Sequence, residues 1–365
     1  MHRSTEALFT PVSINHLRLP NRIVMAPMTR AASPDGVPGP DVAAYYRRRA
    51  EGGVGLIVTE GTWIPHPAAG FTPRVPRFYG EDALAGWRRV CEEVHAAAGR
   101  IFPQLWHVGA SLSPGDAPAS GVVPVSPSGI GRPAGTPSRA MTEADIHAVI
   151  EAYAQAAGHA RTLGFDGIEI HAAHGYLIDQ FFDSATNHRT DAYGGDIAGR
   201  TRFGADIVRE IRRRTAPDFP IVLRYSQWKL HDHAAKPFQS PGELAQFLAP
   251  LVDAGVDAFH CSTRRYWQPE FEDSPLNLAG WTKKLTGLPA ITVGSVTLTN
   301  ELMSGLPQAD TTGLDDLLDR LTREEFDLVA VGRALIANPS WAAIVRTGEF
   351  HQLQPYDRRA LSSLV

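Results

Sequence analysis

The stretch Gly164-Phe-Asp-Gly167-Ile-Glu169-Ile-His171-Ala-Ala-His174-Gly-Tyr176-Leu-Ile-Asp-Gln-Phe-Phe182 decides how the rest of the chain reads. A short apolar segment bounded by glycine predicts a strand buried on both faces, as parallel sheets require. Where that segment ends, two imidazoles and a phenol arrive within six positions. Histidine and tyrosine donate hydrogen bonds to a substrate oxygen, and tyrosine can also deliver a proton. Polar side chains at the mouth of a buried strand sit where α/β barrels do their chemistry. The expectation is an enzyme.

Similar apolar runs recur on either side. The predicted strands are Arg22–Ala26, Val54–Thr59, Arg100–Leu105, Gly167–His171, Ile221–Tyr225, Ala258–Ser262, Ala290–Val293 and Asp327–Val331. Helix-start patterns lie between several of them. Thr142-Glu-Ala-Asp145 reads as a capping box, and Ser240-Pro241-Gly-Glu243 adds proline in the first turn. Ile146, Val149, Ile150 and Tyr153 then mark one apolar helical face. Eight βα units predict a TIM barrel in one domain, residues 1–365. A doubly wound sheet is the weaker alternative, because no Gly-x-Gly-x-x-Gly follows a first strand. Two stretches interrupt the alternation: Ser113–Pro137, expected as a loop or lid over the carboxyl-terminal face, and Tyr266–Asn277. Long loops of this kind tend to be functional.

Composition narrows the classes. The chain has 365 residues, 43% hydrophobic and 20% charged, with net charge −4 and no long single-sign run. That argues against a nucleic-acid groove or a polybasic membrane surface. No apolar run approaches the roughly 20 residues that span a bilayer, and Met1–Glu6 lacks the apolar core of a signal peptide. Two cysteines supply neither a disulfide framework nor a Cys₄ iron–sulfur site. A reducing cytoplasm is the expected compartment.

The predicted strand ends present Ala26-Pro27-Met28-Thr29, Glu60-Gly61, Gln104-Leu-Trp106-His107, His171 with His174 and Tyr176, Arg224, Cys261, Gly294-Ser295 and Gly332-Arg333. Barrels often bind phosphate after strands seven and eight, where glycine admits close backbone approach and arginine adds a bidentate charge. Gly294-Ser295 and Gly332-Arg333 therefore read as a phosphate cradle. The other ends suit a flat, polar-edged ring better than a metal. Phosphate and ring together point to flavin mononucleotide (FMN).

From Leu8 to Arg358 the chain resembles the Old Yellow Enzyme family of flavin-dependent ene-reductases. The motifs that carry the resemblance are Asn21-Arg-Ile-Val-Met-Ala-Pro-Met-Thr29-Arg30, Thr59-Glu-Gly61, Gly99 through Gln104-Leu-Trp106-His-Val-Gly109, the His171 run onward to Asn187-His-Arg189-Thr-Asp-Ala-Tyr193-Gly-Gly, and Val331-Gly332-Arg333. The resemblance implies that Thr29 bonds the flavin O4, Gln104 reads the pyrimidine edge and Arg224 places positive charge near N1 and O2. Gly61 and the Ala26–Met28 backbone would pack on the ring. His171 and His174 would grip a carbonyl or nitro oxygen, Tyr176 would protonate the α-carbon, and Trp106 would shape the substrate pocket. It further implies NADPH or NADH as hydride donor, an activated alkene as substrate, and often a homo-oligomer.

Other readings stand beside these. His-x-x-His could cap the following helix, or bind zinc with His107 as a third ligand, although no cysteine or carboxylate cluster accompanies it. Glu169, if buried, needs a partner, with Arg224 and Arg22 the candidates. Gly332-Arg333 could be a plain turn. Cys91 reads as core, and Cys261, at a strand end, as structural more than redox. Arg264, Arg265, Tyr266 and Trp267 could line a substrate pocket, bind phosphate or form a solvated loop.

Departures from the family pattern are His174, where some members have asparagine, Ser295, where asparagine is common, and Leu361-Ser362, where an aromatic pair is often found. The pocket wall built by that carboxyl-terminal segment is open at this point. Tyr225–Lys229 also looks atypical. The rivals to alkene reduction are a flavin-dependent desaturase or isomerase acting on a biosynthetic intermediate, and a non-catalytic flavin binder.

Overall fold

The computed structural model describes residues 4–112, 121–301 and 305–365. Its centre is a closed barrel of parallel strands in sequential order. They are β1 (Ile23–Met25), β2 (Leu56–Trp63), β3 (Ile101–Trp106), β4 (Ile168–His174), β5 (Ile221–Lys229), β6 (Ala258–Ser262), β7 (Ala290–Val293) and β8 (Leu328–Val331). All eight predicted strands form, so the doubly wound alternative is excluded. Helices such as Glu143–Leu163 and Ile197–Arg214 pack outside the barrel.

Four strands run further than predicted, β3 by one residue and β2, β4 and β5 by three or four. The register shifts between Val58 and Gly61 on β2 and between Ala172 and His174 on β4, which lets pairing continue past each irregularity. His174 itself takes φ 68°, a left-handed conformation rare for a side chain of that size. β5 continues to Lys229, so the atypical Tyr225–Lys229 run is strand.

Both predicted caps form. Thr142 and Asp145 make a reciprocal capping box, and Ser240 accepts from the Glu243 amide with Pro241 in the first turn. A hairpin ahead of the barrel, Val12–Ile14 with Leu17–Leu19, is absent from the sequence reading. Its Ile14, Leu17 and Leu19 join Val24, Leu56, Phe102, Val222, Ala258, Ile291 and Leu328 in one apolar cluster that fills the lower barrel.

The Asn187–Gly195 motif acts as scaffold. The Asn187 side-chain amide donates to the Phe181 and Tyr193 carbonyls, both at 2.8 Å. Arg189 donates to the Pro127 and Met141 carbonyls at 2.9 and 2.5 Å, tying down the excursion after β3. Residues 113–120 of the expected lid lie outside the described residues. Among the described residues, no helix is long and apolar enough to cross a membrane.

Candidate active site

Two adjoining cavities open at the carboxyl ends of the strands. One is lined by Ala26, Gly294, Ser295, Gly332 and their neighbours after β6, β7 and β8. The second is lined by Thr29, Gln104, Trp106, His171 and Tyr176 among others. Pro27, Met28, His174, Arg224, Trp228 and Arg333 face both. One groove results, with glycine-rich turns at one end and hydrogen-bond donors at the other.

The turn end is shaped by backbone crowding. Gly294 sits at φ 136°, where a Cβ would lie 2.7 Å from the Thr263 carbonyl oxygen. Ser295, also left-handed at φ 54°, turns its hydroxyl toward the Arg264 and Asn300 carbonyls, 3.1 Å from each. Its side chain is thus occupied within the loop. Arg333 donates to the Asn300 carbonyl and lies over the Tyr356 ring, 5.4 Å from its centroid.

At the donor end, Trp106 stacks on His171 with centroids 5.6 Å apart, and Tyr176 meets both rings edge-on. His171 Nδ1 accepts the Ala173 amide, which leaves Nε2 as the nitrogen that carries the proton. His174 Nε2 lies 2.8 Å from Ser262 Oγ, which also accepts from Arg224 at 3.2 Å. Burial, then the Arg224 charge, pushes both imidazoles well below their usual range. They are neutral at neutral pH. Arg224 Nε and Trp106 Nε1 are buried and have no partner within the protein.

The loop that carries Thr29 is fastened by Glu60, whose carboxylate accepts the Arg30 and Ala31 amides, both at 2.9 Å. The Arg30 guanidinium donates to the Ala360 and Ser363 carbonyls at 3.1 and 2.6 Å. This holds the carboxyl-terminal segment so that Tyr356 and Leu361 form a wall of the second cavity. The wall left open by the missing aromatic pair is therefore built, with leucine.

Three sequence-assigned residues do not line the groove. A Cβ on Gly61 would fall 2.3 Å from the Trp106 ring, so its smallness serves Trp106. Tyr266 is buried against the helix Asp315–Thr322, where its hydroxyl meets Asp316. Trp267 packs on Tyr266 and is partly exposed. Both follow the turn after β6 away from the barrel axis. Cys261 also faces outward, toward Thr282 at 3.2 Å, and burial pushes its thiol up to about 12. Strand alternation turns His260 and Ser262 inward instead.

The sequence reading missed Trp228, whose ring lies 4.4 Å from His174 and whose indole N–H donates to the Ser262 carbonyl. Continuing β5 past Tyr225 would have revealed it. His107 pairs with His66 at 3.0 Å rather than with His171 and His174. Among the described residues, no group of three His, Cys, Asp or Glu side chains is placed to hold a metal ion.

The geometry has counterparts in known proteins. The family model for the NADH:flavin oxidoreductase / NADH oxidase family matches residues 7–351. The NADH oxidase of Thermoanaerobacter brockii is 33% identical over 95% of this chain, which spans only 52% of that protein. Morphinone reductase in complex with tetrahydroNAD matches at TM-score 0.81 and 30% identity, over 97% of this chain and 93% of that one. The old yellow enzyme homologue from Zymomonas mobilis matches at TM-score 0.79 and 27% identity, over 97% and 96%. The chain belongs to the NADH:flavin oxidoreductase / NADH oxidase family, within which its motifs mark it as an Old Yellow Enzyme relative.

Proposed function

We propose that this chain is an FMN-dependent ene-reductase working as one barrel domain, with NADPH or NADH as reductant and an activated alkene as oxidant. The observation that carries this is the single groove. It joins an arginine-flanked pair of glycine turns to a neutral donor pair and a tyrosine. The residues present fit the cofactor. Gly294, Ser295, Gly332 and Arg333 would hold the phosphate, and the Ala26–Met28 backbone would lie along the ring. Thr29, Gln104 and Arg224 would meet the ring's polar edge, where the unpartnered Arg224 Nε offers a donor.

FMN held there would supply the hydride-transfer chemistry that links the nicotinamide to the alkene β-carbon. His171 and His174 would hold the carbonyl or nitro oxygen and polarise the double bond without transferring a proton. Tyr176 would protonate the α-carbon. Trp106, Trp228 and Leu361 would exclude water around the alkene. Nicotinamide and alkene would use the same face in turn, giving ping-pong kinetics. A tyrosine beside the donor pair favours net reduction over desaturation or isomerisation. A cytoplasmic, homo-oligomeric enzyme completes the proposal.

The purified protein should be yellow, bleach anaerobically with NADPH or NADH, and recolour with an α,β-unsaturated ketone. A protein that takes up no FMN, or one whose reduced form no enone or nitroalkene reoxidises, would overturn the reading. Tyr176→Phe separates the half-reactions. Flavin reduction should stay near the parental rate, while reoxidation by cyclohexenone slows about 10²–10⁴-fold, the usual contribution of general acid catalysis. Nitroalkene turnover should suffer less, because a nitronate can take its proton from water. Stopped-flow measurement of both steps decides the role.

A further inference from the structure

The barrel interior holds a buried carboxylate that the proposed chemistry leaves unused. Glu169 is wholly buried on β4, one inward-facing position below His171. Neither arginine suggested as its partner makes the close contact to it, although its charge acts on Arg224. Arg22 donates to Thr10 and to the Asp327 carbonyl, and the hydrogen bond recorded from Arg224 runs to Ser262. Instead, Glu169 Oε1 accepts from the Gln104 side-chain amide at 2.8 Å, and Oε2 meets His260 Nδ1 at 2.7 Å. His260 is equally buried, and its Nε2 has no partner.

This arrangement has a directional consequence. An ionised carboxylate only accepts hydrogen bonds, so Gln104 must turn its NH₂ toward Glu169. Its carbonyl oxygen and second N–H are left for the groove that Gln104 lines. An acceptor beside a donor complements the N3–H and adjoining carbonyl of an isoalloxazine pyrimidine. The carboxylate also acts on Arg224 electrostatically, and so offsets part of the positive charge that Arg224 brings to that edge.

We propose that Glu169, held by His260, is a positioning residue that sets the orientation of the Gln104 amide and lowers the reduction potential of bound FMN. The proposal rests on the FMN reading above. His260 Nδ1 holds one carboxylate oxygen of Glu169, and the other oxygen keeps Gln104 oriented. The negative charge that reduction places on the pyrimidine edge then meets an Arg224 already partly neutralised. A purely structural Glu169–His260 pair would stabilise the barrel and leave the potential unchanged.

The test uses Glu169→Gln in the full-length holoenzyme. FMN affinity of the stripped protein should fall at least tenfold, because a neutral amide no longer selects one orientation of Gln104. The potential should rise by at least the equivalent of a tenfold gain in affinity for reduced over oxidised FMN, about 30 mV for two electrons. A second pair of variants covers a failure of Glu169→Gln to fold. His260→Leu removes the donor and should raise the potential in the same direction. His260→Asn keeps a donor amide and should stay near the parental value.

If the parent binds FMN and the potential is unmoved in Glu169→Gln, or in His260→Leu where Glu169→Gln does not fold, the inference is overturned and the functional reading stands. A parent that binds no FMN overturns the functional reading itself.

Discussion

The lower and upper halves of the barrel interior are built on the same strands and behave as opposites. On β3, Phe102 belongs to the apolar cluster, while Gln104 and Trp106, two and four residues on, face the groove. On β5 the step runs from Val222 to Arg224, and on β6 from Ala258 to His260 and Ser262. The lower half is closed by its hairpin and consists of buried apolar side chains. The upper half buries Glu169, His260, Arg224 and His171, and leaves Arg224 Nε, His260 Nε2 and Trp106 Nε1 without protein partners. The lower half is thus apolar packing, and the upper half presents the polar groups that could meet a polar ring.

The largest effect expected from that division lies in the lower half. Phe102 is wholly buried, and its ring lies 2.6 Å from where a Cβ on Gly167 would be, so the site is already tight. Phe102→Ala should destabilise the fold by about 3–5 kcal/mol through lost burial and a residual cavity. The absorption spectrum of bound FMN should not change. Chemical denaturation and a flavin spectrum together test the division. A large spectral change would show that the halves are coupled.

A smaller effect belongs to the upper rim. Burial pushes the Glu60 carboxyl up to about 7 from its ordinary 4.5, although two backbone amides oppose the shift. With the folded pKa above the unfolded one, the folded state binds more protons between these values. The stabilising contribution is therefore complete below about pH 4.5 and is lost as pH rises through about 7. At 1.36 kcal/mol per unit, the loss is on the order of 3 kcal/mol. Glu60→Gln should flatten this part of the stability profile. Thermal melts of parent and variant across the window would run parallel if Glu60 were not the titrating group.

The smallest effect is expected at the glycine turns. Arg333 lines both cavities and carries charge to the proposed phosphate position. Arg333→Ala should weaken FMN binding about tenfold to a hundredfold, the cost of a charge-assisted hydrogen bond of about 1.5–3 kcal/mol. Flavin titration of the apoprotein measures it. Undiminished affinity would move the phosphate elsewhere in the groove.

Much of the upper half was legible residue by residue. Fourteen assigned positions, from Ala26 to Arg333, line the groove. They were readable because short apolar strands end in polar residues, and those ends converge in any parallel barrel. The failures have specific causes. Cys261 lies next to the carboxyl end of its strand, yet a period of two turns it outward. Tyr266 and Trp267 lie beyond a turn whose direction no local pattern encodes. Trp228 escapes the local pattern because the apolar run ends at Tyr225, whereas the pairing of Lys229 with His174 carries β5 onward.

By itself the sequence determined the eight strands, two helix caps, the glycine turns and the identity of the donors. Those features follow from local periodicity, backbone freedom and side-chain chemistry, and they operate within a few residues. Tertiary structure alone decided the partners. Glu169 found His260 across 91 positions, and Arg30 found the carbonyl of Ala360 across 330. Barrel closure and strand register bring such residues together. A one-residue slip would reverse which side chains face inward, so these meetings depend on the packing of the whole ring.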